Sequence, residues 1–239
     1  MSRPPSRPLG VAELQRRLVE AYGPQGWWPA QDPFEVMVGA VLTQNTAWTN
    51  VERAIARLRR AQALDPRRLA EAPPGQVAGW IRPAGYFNVK ARRLQAYCRW
   101  YLEQGGLSGL RRLPTGELRR RLLAVHGIGP ETADDILLYA LERPVFVVDA
   151  YTRRLFRRLG LAPGLPGQAL TGGTGGYEAL RAWVERAARR SPAARRDLVG
   201  FFNELHALIV RHAKEHCRAR PRCPGCPLLA RCPEGRGRA

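Results

Sequence analysis

Apolar side chains recur every three or four positions along most of the chain, a spacing that places them on one face of a helix. Between residues 49 and 60, for example, Val51, Ile55 and Leu58 share one face. The pattern therefore predicts an all-α protein. The predicted helices are, in chain order, 11–22, 33–42, 49–60, 66–72, 74–80, 90–104, 116–125, 130–141, 150–159, 176–189 and 197–216.

Three segments depart from this helical pattern. The run from Pro144 to Val148 is strand-like but short and isolated, so we expect an extended connector and no sheet. Residues 162–176 are rich in Gly and Pro, which predicts a surface loop. The tail from Pro233 onward is polar, and we expect it to fray.

The charge of the chain indicates what it binds. The 239 residues include 39 Lys and Arg against 20 Asp and Glu, a net charge of +19. This surplus must lie on the surface, where it favours a polyanion such as nucleic acid. An anionic membrane is the weaker alternative, because the chain has no run of about 18 apolar residues. The basic opening MSRPPSRPLG also lacks the apolar stretch of a signal peptide, so we expect a cytoplasmic protein.

Four of the five cysteines lie close together near the C-terminus. They are Cys217, Cys223, Cys226 and Cys232, separated by five, two and five residues. In a cytosolic protein this grouping predicts a metal site and not disulfides. A [4Fe–4S] cluster takes four Cys ligands, whereas zinc usually takes two separated C-x2-C pairs, and only one such pair is present. We therefore favour the cluster, with zinc as the alternative. The fifth cysteine, Cys98, stands alone in the sequence, and we expect it to be a core or half-buried thiol.

A glycine-rich turn joins two predicted helices. It consists of His126, Gly127, Ile128 and Gly129, and Pro130 then begins the next helix. Two glycines around one aliphatic residue allow a tight turn whose backbone amides can face a phosphate. The alternative interpretation is an ordinary corner between two helices.

An acidic residue follows the extended connector. Asp149 precedes an amphipathic segment, so it can cap the helix there, and a cap alone is one interpretation. The functional interpretation is a carboxylate at the edge of a cleft. Asp134 and Asp135 lie on the helix after the glycine-rich turn, and we expect them to be structural or to face solvent.

Together these motifs resemble the helix-hairpin-helix DNA glycosylase superfamily, over about residues 10 to 233. The glycine-rich turn and Asp149 resemble its hairpin loop and aspartate. Residues 33–46 resemble its first barrel helix and Gln-bearing turn, and residues 85–91 resemble its wedge loop. The cysteines resemble the iron–sulfur loop of the endonuclease III branch, with five residues in the first gap where six are common.

The resemblance implies two helical domains with the active-site cleft between them. A six-helix barrel domain with the helix-hairpin-helix motif would span 32–144, and 1–31 plus 145–239 would form the [4Fe–4S] cluster domain. It also implies an activity, that of a DNA N-glycosylase of base excision repair. Such a protein would act as a monomer on duplex DNA containing a damaged base, in the cytoplasm and at the nucleoid if bacterial.

The resemblance further implies roles for individual residues. Asp149 would stabilise positive charge on the sugar, and Gln44 and Tyr86 would fill the gap left by the flipped base. Trp27 and Trp28 would stack on that base. A packed tyrosine and two core tryptophans are the alternatives. The W-W-P and T-Q-N-T stretches are similar to helix-hairpin-helix 3-methyladenine glycosylases, which favours an alkylated purine over an oxidised pyrimidine.

The residue at one position differs from that of endonuclease III. Glu131 stands where endonuclease III has the lysine that forms a Schiff base with the sugar, and a carboxylate cannot form that imine. We therefore expect a monofunctional glycosylase. The alternatives are a bifunctional glycosylase and lyase using Lys90, Lys214 or the terminal amine, a non-catalytic DNA-binding iron–sulfur protein, and a zinc-bound nucleic-acid adaptor.

Overall fold

The computed structural model describes residues 9–28, 32–165 and 167–237, which are helical and contain no strand. The α-helices are α1 (Val11–Tyr22), α2 (Pro33–Leu42), α3 (Trp48–Arg60), α4 (Pro66–Glu71), α5 (Pro74–Trp80), α6 (Phe87–Glu103), α7 (Gly106–Arg112), α8 (Thr115–Leu123), α9 (Pro130–Asp135), α10 (Ala150–Leu159), α11 (Gly167–Thr171), α12 (Thr174–Ala188), α13 (Pro192–Arg196), α14 (Leu198–Glu215) and α15 (Pro233–Arg236). Two 3-10 turns and a π-helix accompany them, at Arg82–Ala84, Leu229–Arg231 and Ile136–Ala140.

The all-α prediction is confirmed, and each predicted helix is present with its ends shifted by at most a few residues. The connector from Pro144 to Val148 has no regular secondary structure and pairs with no strand in the described ranges. Within those ranges no helix has both the length and the apolar character needed to span a bilayer.

Short helices account for the differences from the sequence prediction. α7 and α13 were not predicted, α11 lies inside the expected loop, and α15 replaces the frayed tail. In α15 the buried Gly235 donates its N–H to Cys232 Sγ at 3.2 Å. The predicted helix 130–141 ends as a π-helix after α9. Helices this short depend on caps and tertiary contacts, which the apolar spacing does not reveal.

The chain divides into two compact units. A continuous unit runs from Trp28 to Arg143, and a discontinuous unit combines the chain up to Trp27 with the chain from Pro144 onward. The arrangement of two domains around a cleft stays a prediction.

The continuous unit is built around α2. This helix is apolar on all sides and buried along its length, and it packs against α3, α6 and α9. Asp32 caps it by accepting the N–H of Glu35 at 3.0 Å, and Pro33 suits its first turn. The long helix α6 packs against α2, α4 and α5, so its first turns lie beside the end of α2.

The discontinuous unit joins the two ends of the chain. α1 packs against α14 and α12. Gln15 Nε2 donates to the carbonyl of Phe201 at 3.1 Å, and Arg211 Nη1 donates to the carbonyl of Tyr22 at 2.9 Å. α10, which follows the connector, packs against α14, α11 and α15. The first helix is therefore an integral part of the C-terminal unit.

Candidate active site

Residues 126–129 form a tight turn between α8 and α9. Gly127 has a φ of +86°, a conformation that favours glycine, and a Cβ there would collide with the side chain of Arg93 on α6. Ile128 is buried and anchors the turn, whereas His126 and Gly129 are exposed. The exposed residues of the turn are therefore His126 and Gly129, since the Ile128 N–H is bonded to the carbonyl of Val125 at 3.0 Å.

Gln44 lies on the turn after α2 and is bonded to the hairpin. Its Nε2 donates to the carbonyl of Gly127 at 3.0 Å and to Thr132 Oγ1 at 2.9 Å. Arg93 Nη1 donates to its Oε1 at 2.5 Å. Gln44 therefore connects the turn after α2 to the hairpin, and Arg93, which the sequence analysis did not single out, supports both.

Tyr86 is an exposed loop tip. Its side chain is 72% exposed, so it is not packed under the loop. The residue has a φ of 46°, a left-handed conformation that is costly for a residue with a Cβ, and it directly precedes α6. Strained, exposed residues of this kind are concentrated at functional sites.

Lys90 on α6 is enclosed by the protein. The side chain is buried, and its Nζ donates to the carbonyls of Leu42 and Ala84, each at 2.8 Å. Burial and the positive charge of Arg93 lower the pKa of Lys90 to about 8. The amine is thus occupied by two main-chain acceptors.

Asp149 is a buried carboxylate at the start of α10. Its Oδ1 accepts the N–H of Thr152 at 2.7 Å, so it is the N-cap of that helix. Its Oδ2 lies 3.6 Å from Nε2 of His206 on α14. Burial alone would raise the pKa of Asp149, but His206 and the Thr152 N–H outweigh it and lower the pKa. The group is therefore ionised at neutral pH.

His206 is a site residue that the sequence analysis missed. Its only signal is a polar residue on the otherwise apolar face of α14, flanked by Leu205 and Ala207. The contact with Asp149 depends on the packing of α10 against α14.

The acidic residues after the hairpin fall into two groups. Asp134 is fully buried and forms a bidentate pair with Arg119, whose Nε and Nη2 lie 2.7 and 3.0 Å from the two carboxylate oxygens. Asp135 is also buried. The structural interpretation of both residues is therefore the correct one, and the solvent-facing one is wrong. Glu131 is exposed in the first turn of α9.

Trp28 lines a cavity in the continuous unit. Its ring contacts that of Trp48 edge-on, with centroids 4.7 Å apart, and lies 5.2 Å from Tyr139. A Cβ at Gly39 would lie 3.0 Å from the Trp28 ring, so glycine makes room for it. The cavity has a volume of about 260 Å³, and Glu35 also lines it.

Trp27 and Pro29 flank Trp28 in the W-W-P stretch. Trp27 is half-buried. Pro29 of the W-W-P stretch and the terminal amine lie outside the described residues.

The four C-terminal cysteines face one cavity of about 30 Å³ in the discontinuous unit. Cys217 is buried and the other three are half-buried. Burial raises the pKa of Cys226 and Cys232. Within the described residues, no three His, Cys, Asp or Glu side chains are grouped so as to hold one metal ion. Four thiols around one small apolar space are the donor set that a [4Fe–4S] cluster uses.

Two polar side chains contact these cysteines. Arg158 is buried, and its Nη1 lies 3.4 Å from Cys217 Sγ and 2.6 Å from the carbonyl of Arg218. His212 Nε2 lies 3.8 Å from Cys226 Sγ, and burial lowers the pKa of this histidine to about 4. The fifth cysteine, Cys98, is fully buried on α6, as predicted.

The predicted site residues belong to both units. Those of the continuous unit are Trp28, Gln44, Tyr86, His126, Gly127, Ile128, Gly129 and Glu131, and those of the discontinuous unit are Trp27, Asp149, Cys217, Cys223, Cys226 and Cys232.

Comparison with known proteins gives one family and several relatives. Residues 38–171 match the model of the family described as HhH-GPD superfamily base excision DNA repair protein. The chain is 38% identical over 225 residues to a putative DNA repair glycosylase of Methanocaldococcus jannaschii, covering 93% of this chain and 95% of the relative. It is 27% identical over 204 residues to endonuclease III of Escherichia coli, covering 84% and 83%.

Solved structures share the fold. A 3-methyladenine DNA glycosylase of H. pylori, bound to 1,N6-ethenoadenine, has a TM-score of 0.70 and 26% identity, covering 86% of this chain and 95% of that one. An endonuclease III in a non-covalent complex with DNA has a TM-score of 0.73 and 23% identity, covering 95% and 96%.

Proposed function

Because the chain belongs to the HhH-GPD superfamily of base excision DNA repair proteins, we propose that it is a monofunctional DNA glycosylase acting on a damaged base in duplex DNA. It flips the base out of the helix and hydrolyses the N-glycosidic bond with water. The observation that carries this proposal is Asp149, a buried carboxylate whose pKa is lowered and which is therefore ionised at neutral pH.

Breaking the N-glycosidic bond builds positive charge on the sugar. A carboxylate beside the anomeric carbon stabilises this charge and can orient the attacking water. Asp149 keeps one oxygen on the Thr152 N–H, which fixes the side chain, while its second oxygen is directed toward His206 at 3.6 Å. In our proposal Asp149 supplies this charge and His206 helps to hold it in place.

In our proposal, residues of the continuous unit contact the DNA. The exposed residues of the turn 126–129 contact a phosphate of the strand, helped by the net charge of +19. Tyr86 is the exposed side chain that enters the gap left by the flipped base, and Gln44 completes the filling beside the hairpin.

The absence of lyase activity is part of the proposal. Glu131 offers a carboxylate where a Schiff base needs an amine. Lys90 is enclosed and engaged by two carbonyls, which removes it from contact with a sugar. Lys214 is exposed on α14 in the discontinuous unit, three residues before Cys217.

We propose an alkylated purine as the damaged base. Alkylation gives a purine a positive charge, which favours stacking on the face of an indole. Trp27 and Trp28 are the predicted stacking residues, and Trp28 lines a cavity of about 260 Å³ together with Trp48. The structural similarity to a 3-methyladenine glycosylase bound to an ethenoadenine favours the same class.

We further propose that Cys217, Cys223, Cys226 and Cys232 hold a [4Fe–4S] cluster. These four thiolates would hold the cluster, which would cross-link residues 217–232 beside Arg158 of α10 and His212 of α14. We also propose that 32–144 and 1–31 plus 145–239 act as two domains around the DNA cleft, in a cytoplasmic monomer that is associated with the nucleoid if the source is bacterial.

The test is a screen of the purified protein on duplexes that each carry one defined lesion. We expect base release from a duplex with an alkylated purine, leaving an abasic strand that breaks only after alkali. No covalent adduct should form under borohydride. In Glu131→Lys, which places an amine on α9, we expect some trapped adduct to appear. DNA binding without release of any base would contradict the proposed activity, and efficient trapping by the parent protein would contradict its monofunctional character.

A further inference from the structure

Two short loops carry the residues that our proposed function assigns to the gap in the duplex. The Gln44 turn, residues 43–46, follows α2, and the Tyr86 loop, residues 85–87, follows the 3-10 turn Arg82–Ala84. Each contains a non-glycine residue in the left-handed region, Asn45 with a φ of 53° and Tyr86 with a φ of 46°. Such conformations persist only where surrounding contacts enforce them.

One buried side chain bonds to the residue before each loop. Lys90 Nζ donates at 2.8 Å to the carbonyl of Leu42, the last residue of α2, and at 2.8 Å to the carbonyl of Ala84, the last residue of the 3-10 turn. Carbonyls at a helix end have no partner within the helix, and a cation there also interacts favourably with the helix dipole. Lys90 thus caps two helical segments at once.

The burial of this amine is costly. Lys90 is only 2% exposed, and its hydrogen-bond partners in the described part of the chain are the carbonyls of Leu42 and Ala84. An ammonium held away from water by carbonyls alone pays a large desolvation cost. Apolar packing would serve stability at least as well, so its presence points to a requirement for geometry.

We propose that Lys90 is a positioning residue that fixes the Gln44 turn and the Tyr86 loop relative to each other, so that both are presented to the same gap in DNA. The inference rests on the proposed function for its purpose and on the two hydrogen bonds for its geometry. One turn further along α6, Arg93 bonds to Gln44 and covers Gly127. α6 therefore supports both loops and the hairpin: Arg93 bonds to Gln44, and Lys90 bonds to the carbonyl that precedes each loop.

The chain provides a matched control on the same helix. Gln95 is also buried, and its Nε2 donates to two main-chain carbonyls, of Leu69 at 3.2 Å and Ala72 at 2.8 Å. Lys90→Met and Gln95→Met each remove two hydrogen bonds that a buried side chain of α6 donates to main-chain carbonyls. Only Lys90→Met removes the hydrogen bonds next to the Gln44 turn and the Tyr86 loop.

The first measurement is amide hydrogen exchange, which needs neither DNA nor a substrate. In Lys90→Met we expect about tenfold faster exchange of the Thr46 and Gly85 amides, which donate to the carbonyls of Thr43 and Arg82, both at 3.2 Å. In Gln95→Met those amides should exchange as in the parent, while the amide of Ala72 should exchange faster. Equal exchange of Thr46 and Gly85 in the two variants would overturn the proposal.

The second measurement is fluorescence anisotropy with a duplex containing one tetrahydrofuran abasic-site analogue and a fully paired duplex of the same sequence. The ratio of the affinities for the tetrahydrofuran duplex and the paired duplex should be about tenfold smaller in Lys90→Met than in the parent. In Gln95→Met this ratio should equal that of the parent. Retention of the preference in Lys90→Met would contradict the proposed role. If the parent shows no preference, the proposed function fails, and hydrogen exchange still decides the role of Lys90. If Lys90→Met does not fold, Lys90→Gln, which keeps two N–H donors, gives the same comparison with smaller changes.

Discussion

Replacement of Asp149 separates its two physical roles. As the N-cap of α10, it accepts the N–H of Thr152 at 2.7 Å, and as a buried anion it would face the positive charge that develops on the sugar. Asn and Asp cap helices about equally well, so Asp149→Asn keeps the first role and removes the second. We expect base release to slow by a factor on the order of 100, with DNA binding nearly unchanged and only a small loss of stability at neutral pH from the missing charge.

The size of the effect follows from the charge and the burial of the carboxylate. Opposite unit charges about 4 Å apart attract by about 4 kcal/mol at an effective dielectric constant near 20, the value suited to partly buried protein sites. The Asn dipole recovers part of this, which leaves a loss of about 3 kcal/mol and hence a factor on the order of 100. Asp149→Ala removes the cap as well, so it should also lower the free energy of unfolding by about 1 kcal/mol.

The assay measures single-turnover release of the base identified in the lesion screen, alongside thermal unfolding and anisotropy binding of each variant. A pH series of unfolding gives a second readout. Because the pKa of Asp149 is lowered in the folded state, its ionised form stabilises the fold above its unfolded pKa, and this contribution is lost as the pH falls through the lower folded pKa. The difference in free energy of unfolding between the parent and Asp149→Asn should therefore shrink as the pH falls below about 4.

Base release at the parental rate by Asp149→Asn would refute the reasoning. Asp149 would then be a helix cap alone. A large fall in stability or in DNA affinity in the same variant would also contradict the argument, because it would show that the negative charge is needed for folding or binding and not for the reaction.

Two further predictions concern the hairpin and the cysteines. Gly127→Ala combines a left-handed backbone with a collision against Arg93, so we expect its unfolding temperature to fall by about 5 °C and its DNA affinity, measured by anisotropy, to drop. Gly129→Ala, with nothing near its Cβ, should unfold at the temperature of the parent. Cys226→Ser should lose most of the iron and of the broad visible absorbance that we expect of the parent, whereas Cys98→Ala should keep both. Full iron content in Cys226→Ser, measured by iron assay, would rule out this residue as a ligand.

Much of the fold could be predicted from the sequence because helical spacing is a local signal. The same holds for the hairpin, whose glycines define the turn within four residues, and for the N-cap at Asp149, which bonds three residues ahead. The exposure of Tyr86 next to Gly85 was similarly readable from neighbouring residues.

The remaining site contacts join residues that are far apart in sequence. Lys90 reaches a carbonyl 48 residues away, and the pairing of Arg93 with Gln44 spans 49 residues. From the sequence, Lys90 is a wedge-loop residue and a candidate nucleophile, because nothing near it in sequence indicates that it is buried. His206 meets Asp149 only through the packing of two helices. A single sequence carries no local signal for such pairs.

The discontinuous unit has a consequence for synthesis on the ribosome. The continuous unit is complete at Arg143 and can fold while the rest of the chain is made. α1 must wait for α14, since the bond from Arg211 to the carbonyl of Tyr22 spans 189 residues, or roughly 10–40 s of translation at about 5–20 residues per second. During this interval Leu14 and Leu18, fully buried in the finished protein, have no partner surface and are open to capture by chaperones. α1 is thus made before α12 and α14, the helices it packs against, and reaches its final place only after them.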